Sequence, residues 1–190
     1  MSKGRGWFND PTKHSLASKG ISTKFKTKGK KNNMTVDEAI NAVREYGTYG
    51  DPPHEISITL GSNGDIYAID EGDEDVVSSN FISGEKGQIW FHNHFSDGQP
   101  PSLFDVYHFL DVDEISSSYV ATPNSVYILE QRNDIPEISY EKFRDVFHQL
   151  IVENETKEVQ NAYESGDGQI YLSLLNKYMG EYVNVSVVED

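Results

Sequence analysis

A chain of 190 residues with 36% hydrophobic and 12% aromatic content can build one full domain with a core and is too short for two large ones. It contains no cysteine, which excludes disulfides and thiolate metal sites and leaves histidine and carboxylate as the ligands for any zinc. The net charge of −15 is unevenly spread: residues 1–31 hold nine Lys/Arg and one Asp, the other 159 hold seven and thirty, so nucleic-acid contact is unlikely through the acidic body and falls to the basic arm.

Residues 1–33 are expected to be a basic disordered arm and linker, with GISTKFKTKGKKNN too poor in apolar residues to pack. The arm is a candidate docking element for a partner. No apolar h-region opens the chain and no run is long enough to span a bilayer, which predicts a cytoplasmic protein, or a virion component made in the cytosol, with no membrane contact.

The folded domain is expected over 34–190. Thr35 and Glu38 form a capping box for a helix over about 35–46, with Val36, Ala39, Ile40 and Val43 at helical spacing and Gly47 as the stop. EISITL and DIYAID alternate apolar and polar residues around Gly61-Ser62-Asn63-Gly64, a hairpin signal. The acidic GDEDVVSSNFISGEKG is expected to be a loop with one weak strand at most, and QIWFHNHF a buried strand. Ser102 is placed to cap a helix through about Leu110, and SYVATP with SVYILEQ makes a second hairpin about Pro123-Asn124. Two apolar stripes follow, Phe143, Val146, Phe147, Leu150 and Ile151, then Ile170, Leu174, Leu175 and Tyr178, before a closing strand in YVNVSVV. The order predicts an α/β domain, a mixed β-sheet flanked by helices.

Side chains two apart on a strand share a face about 6 to 7 Å apart, so His92 and His94 can converge on one ion. Asp105 lies eleven residues beyond His94, in the first turn of the next helix, where the loop can return it to the strand end. Two imidazoles and a carboxylate leave one tetrahedral position open, as catalytic rather than structural zinc sites do. Trp90 shares the histidine face and is expected to wall the site.

The spacing His92-x-His94, seven residues, Ser102, two residues, Asp105 resembles the signature of the JAMM (JAB/MPN-plus) zinc metalloproteases, over roughly residues 50–130. The wording around HNH looks most like the bacterial RadC-like and phage-associated branch. Phe95 stands where that family usually has proline. The resemblance implies a JAB/MPN-like, cytidine-deaminase-like architecture with a helical C-terminal extension, Zn2+ as cofactor, and hydrolysis of a peptide or isopeptide bond in a protein or peptide substrate. It further implies Glu55 as general base to a zinc-activated water and then acid to the leaving amine, with Ser102 stabilising the oxyanion. Glu71, Glu74 and Glu85 are the rival acids; Glu55 is preferred for its place at the head of a strand.

Other readings remain open. Ser102-x-x-Asp105 is also an ordinary capping box. A non-catalytic binding or assembly module of phage origin on a JAB-like fold is the main alternative, and a small-molecule zinc hydrolase or deaminase the third. Deaminases use an HxE motif with cysteine ligands, which this chain lacks. An HNH nuclease would need a ββα surround. His54, His108 and His148 are expected to be surface or core histidines, with His108 near the edge of the site. The acidic surface favours a basic target, and the linker 20–33 is one such sequence within the chain, open to self-cleavage or autoinhibition.

Overall fold

Thr35 starts the first helix, α1 (Val36–Val43), by a reciprocal box: its hydroxyl accepts the Glu38 amide at 3.2 Å and the Glu38 carboxylate accepts the Thr35 amide at 2.9 Å. The computed structural model describes residues 33–72, 77, 79–95, 99–131, 157, 161, 168–180 and 182–189. In it α1 does not continue to residue 46 with α geometry; from Arg44 to Thr48 the helix widens into one π turn. That turn presses Gly47 against the sheet, where an added Cβ would lie 2.4 Å from Asn93 Oδ1. Only a residue without a side chain fits the approach.

Six strands follow in one mixed sheet: β1 (Ile56–Leu60), β2 (Ile66–Glu71), β3 (Gln88–Asn93), β4 (Ile115–Ala121), β5 (Ser125–Gln131) and β6 (Val183–Glu189), in the spatial order β2-β1-β3-β4-β5-β6. Both predicted hairpins form, β1 with β2 and β4 with β5, each antiparallel. The first turns at Gly64, whose φ of 85° suits glycine. Strands β3 and β4 are the parallel pair, and a parallel pair needs a crossover. Helix α2 (Leu103–Asp111) supplies it.

The alternation of each strand divides the core in two. Ile56, Ile58, Leu60, Ile69 and Phe91 pack under Ala39, Ala42 and Val43 of α1 on one face. Trp90, Val120, Tyr127, Leu129, Val183 and Val185 pack on the other, against Val106 and Phe109 of α2 and Leu172 and Leu174 of α3 (Gly168–Met179). Helices thus cover both sides of the sheet, as the period-2 pattern of the strands requires.

Several boundaries differ from the expectation. Asn33, one residue before Met34, pairs with Asp65 in an isolated antiparallel bridge. Strand β4 starts at Ile115, three residues ahead of the SYVATP segment, because Ile115 is 1% exposed and joins the core beneath α2. No strand forms among the described residues between β2 and β3. In α3 Leu174 is buried as expected, but Ile170 is 51% exposed and Leu172, outside the expected stripe, is buried. The closing strand is β6, as expected. The stripe Phe143–Ile151 and the arm 1–32 lie outside the described residues. No helix among the described residues is long and apolar enough to cross a membrane.

Candidate metal centre

Strand β3 turns Trp90 and His92 to the α2 face and Phe91 and Asn93 to the α1 face. His94 follows the last strand residue but is held as firmly: its amide donates to Ala121 O at 2.9 Å and its carbonyl accepts the Thr48 hydroxyl at 3.3 Å. Across the crossover, Ser102 caps α2. Its hydroxyl accepts the Asp105 amide at 3.2 Å, and Asp105 Oδ2 accepts the Ser102 amide at 2.5 Å. The cap fixes the carboxylate in the first turn, with Asp105 Oδ1 facing the strand end.

His92, His94 and Asp105 therefore meet, one donor atom from each lying within 4.8 Å of the others. His92 Nε2 is 3.2 Å from Asp105 Oδ1, and His94 Nε2 is 3.5 Å from Asp105 Oδ2. Donors at zinc-bond length of about 2.0 to 2.1 Å around a tetrahedral ion stand about 3.3 Å apart, so these separations suit a single small cation. Both nitrogens of His92 are buried without a hydrogen bond, since the contact with Asp105 is out of line for one. A lone pair buried and unsatisfied in this way is costly without an occupant of the site. On His94 the other ring nitrogen, Nδ1, lies 3.1 Å from Gln99 O. That partner fixes the tautomer that presents Nε2 inward, the usual outer support of a metal-bound imidazole.

Burial and charge act on the three groups in different proportions. Burial pushes His92 below its ordinary value and outweighs the nearby Asp105 carboxylate. Burial also lowers His94, but the hydrogen bond and charge of Asp105, the charge of Glu55 and the Gln99 carbonyl together hold it above its ordinary value. Burial would raise Asp105, yet the two histidines keep it well below the carboxylate range. In the metal-free chain His92 is thus biased toward its neutral form and His94 toward its protonated form beside an ionised Asp105.

Glu55 sits at the same end of the sheet. The β1–β3 ladder ends at the pair Ser57–His92, two residues from Glu55 and two from His94. Glu55 is buried, and its charge acts on His94. Of its rivals, Glu71 pairs with Ile56, which packs on the α1 face. Glu85 is exposed and bonds to Tyr67, and Glu74 lies outside the described residues. Trp90 stacks on His92 with ring centres 4.5 Å apart and an interplanar angle of 26°, the wall expected of it, and its indole donates to Ser57 Oγ at 2.8 Å. His108 makes an edge contact with Trp90 and bonds to Ser79 Oγ at 2.5 Å. His54 turns its Nδ1 to Pro52 O.

Three supporting residues carry no sequence signal of their role. Asn93 holds the Ile56 amide at 2.7 Å and donates to Thr48 Oγ1 and His54 O. Thr48 is buried beneath it, and Gln99 sits in a turn-rich segment whose carbonyl could not be assigned a partner from composition. No protein-family model matches the chain, and no curated protein or solved structure matches it. The site itself defines the class this far: a mixed α/β domain with a His-His-Asp group able to hold a metal ion.

Proposed function

We propose that the chain is a zinc-dependent peptidase or isopeptidase of the JAMM type, its sheet an elaboration of the JAB/MPN arrangement. One observation carries the reading: His92, His94 and Asp105 converge within 4.8 Å, and the buried Glu55, one residue ahead of β1, acts on His94 by its charge. A bound zinc supplies a Lewis acid and a strong nucleophile from water at neutral pH. Glu55 is the proton carrier, taking a proton at its carboxylate and returning it to the leaving nitrogen. Ser102 accepts the Asp105 amide with an oxygen lone pair, which leaves its O–H to donate toward the developing oxyanion. Stacking on Trp90 holds the His92 ring in place. The acidic body favours a basic substrate segment such as a lysine-rich tail.

Elemental analysis of the purified chain, with cleavage of a lysine-rich peptide followed by mass spectrometry, tests the reading. Wild type is expected to bind one zinc and cleave; His92→Ala and Asp105→Ala lose both; Glu55→Gln keeps zinc and loses turnover. Hydrolysis that survives Glu55→Gln would eliminate the mechanism. Zinc binding with no cleavage of any peptide would favour the binding-module reading.

A further inference from the structure

The two histidines of the metal centre are held by different means. His94 has the usual outer support, with Gln99 O 3.1 Å from its Nδ1. His92 lacks it: its Nδ1 is buried with no hydrogen-bond partner among the described residues. An imidazole can turn about the bond that joins it to Cβ, and such a turn carries Nε2 out of line with Asp105. The plane of the His92 ring is then set by what lies against it.

Strand alternation places those neighbours. Ile56, Ile58 and Leu60 of β1 pack under α1, which leaves Ser57 and Thr59 on the α2 face, both wholly buried. In the β1–β3 ladder Ser57 pairs with His92 and Thr59 with Trp90. From its place two residues along β3, Trp90 lays its indole over the row of Ser57 and His92 and touches both. The ring stacks on His92 with centres 4.5 Å apart and planes at 26°, while Nε1 donates to Ser57 Oγ at 2.8 Å. His108 and Phe81 meet the indole edge-on, with ring centres 5.0 and 6.3 Å away. An indole has a single N–H, so sliding or tilting it off His92 strands a buried donor.

We propose that Ser57 is a positioning residue for the metal centre: through the Trp90 indole it fixes the plane of the His92 ring, the part that the Gln99 carbonyl plays for His94. The proposal rests on the metal-binding half of the reading above and extends it by one residue, one contact removed from the donor set. It needs neither a peptide substrate nor turnover. Stacking here replaces the hydrogen-bonded oxygen that ordinarily orients a metal-bound imidazole.

Two measurements on the full chain test it. In the metal-free protein the stacked indole shifts the carbon-bound ring protons of His92 upfield, which proton–carbon NMR of histidine-labelled chain reads, with the His92 signals assigned by their loss in His92→Gln. Ser57→Ala is expected to return them toward ordinary histidine positions. Thr59→Val, which removes a neighbouring buried hydroxyl that makes no hydrogen bond, is expected to leave them in place. Zinc affinity, measured against a chromophoric chelator, should fall about tenfold in Ser57→Ala and hold in Thr59→Val. Trp90→Phe keeps an aromatic face without the N–H, so it, Ser57→Ala and the double variant should share one loss, and losses that add would overturn the proposal. Should Ser57→Ala fail to fold, Trp90→Phe breaks the same bond from the other side, and wild-type affinity there overturns the proposal equally. A wild type that binds no zinc sinks the peptidase reading and leaves the His92 shifts to decide this one. Zinc binding and cleavage with the His92 signals unmoved in Ser57→Ala overturn the positioning role and leave the peptidase reading standing.

Discussion

The side-chain oxygen of Asn93 accepts the Ile56 amide at 2.7 Å, tying the strand that carries His92 to the residue after Glu55. Asn93 is fully buried and points away from the histidines, so its part is to set the spacing between the two halves of the site. Replacing it with leucine strands the Ile56 N–H in the interior and removes the donor to the Thr48 hydroxyl and the His54 carbonyl. The expected loss is about 1 to 3 kcal/mol of folding stability. It is measured as a lowered urea midpoint at unchanged m-value.

Gly47 is expected to be equally intolerant. A methyl group there meets Asn93 Oδ1, and the asparagine cannot swing aside without giving up three hydrogen bonds. G47A should destabilise by roughly 1 to 3 kcal/mol from overpacking. Thermal melts of G47A against the wild type check this.

Zinc affinity should rise as pH rises, in a direction fixed by His94. Its raised value means that a proton occupies His94 in the metal-free chain at and somewhat above pH 6.5. A protonated imidazole has no lone pair to give, so the metal must displace that proton. The same group contributes stability to the metal-free fold that is fully present below pH 6.5 and is lost as pH rises through the raised value. Metal-free stability and zinc affinity thus move in opposite directions as pH rises, and the gain in Tm on adding zinc is expected to widen from pH 5.5 to 7.5. A constant gain across that range would contradict it.

Ser102→Ala separates capping from chemistry. Loss of the cap should cost about 0.5 to 2 kcal/mol and loosen Asp105, weakening zinc binding in a competition with a chromophoric chelator. Ser102→Asn restores a capping oxygen, and with it stability and metal affinity, but not an oxyanion donor of the same reach. Recovery of full peptide cleavage in the asparagine variant would show that the hydroxyl acts only as a cap.

The periodicities of the chain were sufficient for its elements. The Thr35 box, the hairpin about Asn63-Gly64, the buried β3 segment and the Ser102 cap are local events, governed by residues three or four apart, and each forms where the letters place it. His92 and His94 share a face because strand geometry leaves no other choice over two residues. The shift in α3 from Ile170 to Leu172 was not legible, since an apolar stripe states what could be buried and not which flank meets the sheet.

What the sequence by itself determined is the donor set: histidine and carboxylate at spacings a strand and a capped helix can bring together, without cysteine, on an acidic body with a basic leader. Only the tertiary structure decided that Asp105 closes to 3.2 Å of His92, that the charge of Glu55 acts on His94 while Glu71 pairs with Ile56, and that Asn93, Thr48 and Gln99 hold the parts in place. Those contacts join residues 13 to 45 apart or lie within an irregular loop, and such pairings depend on sheet register and loop path, which no local pattern encodes.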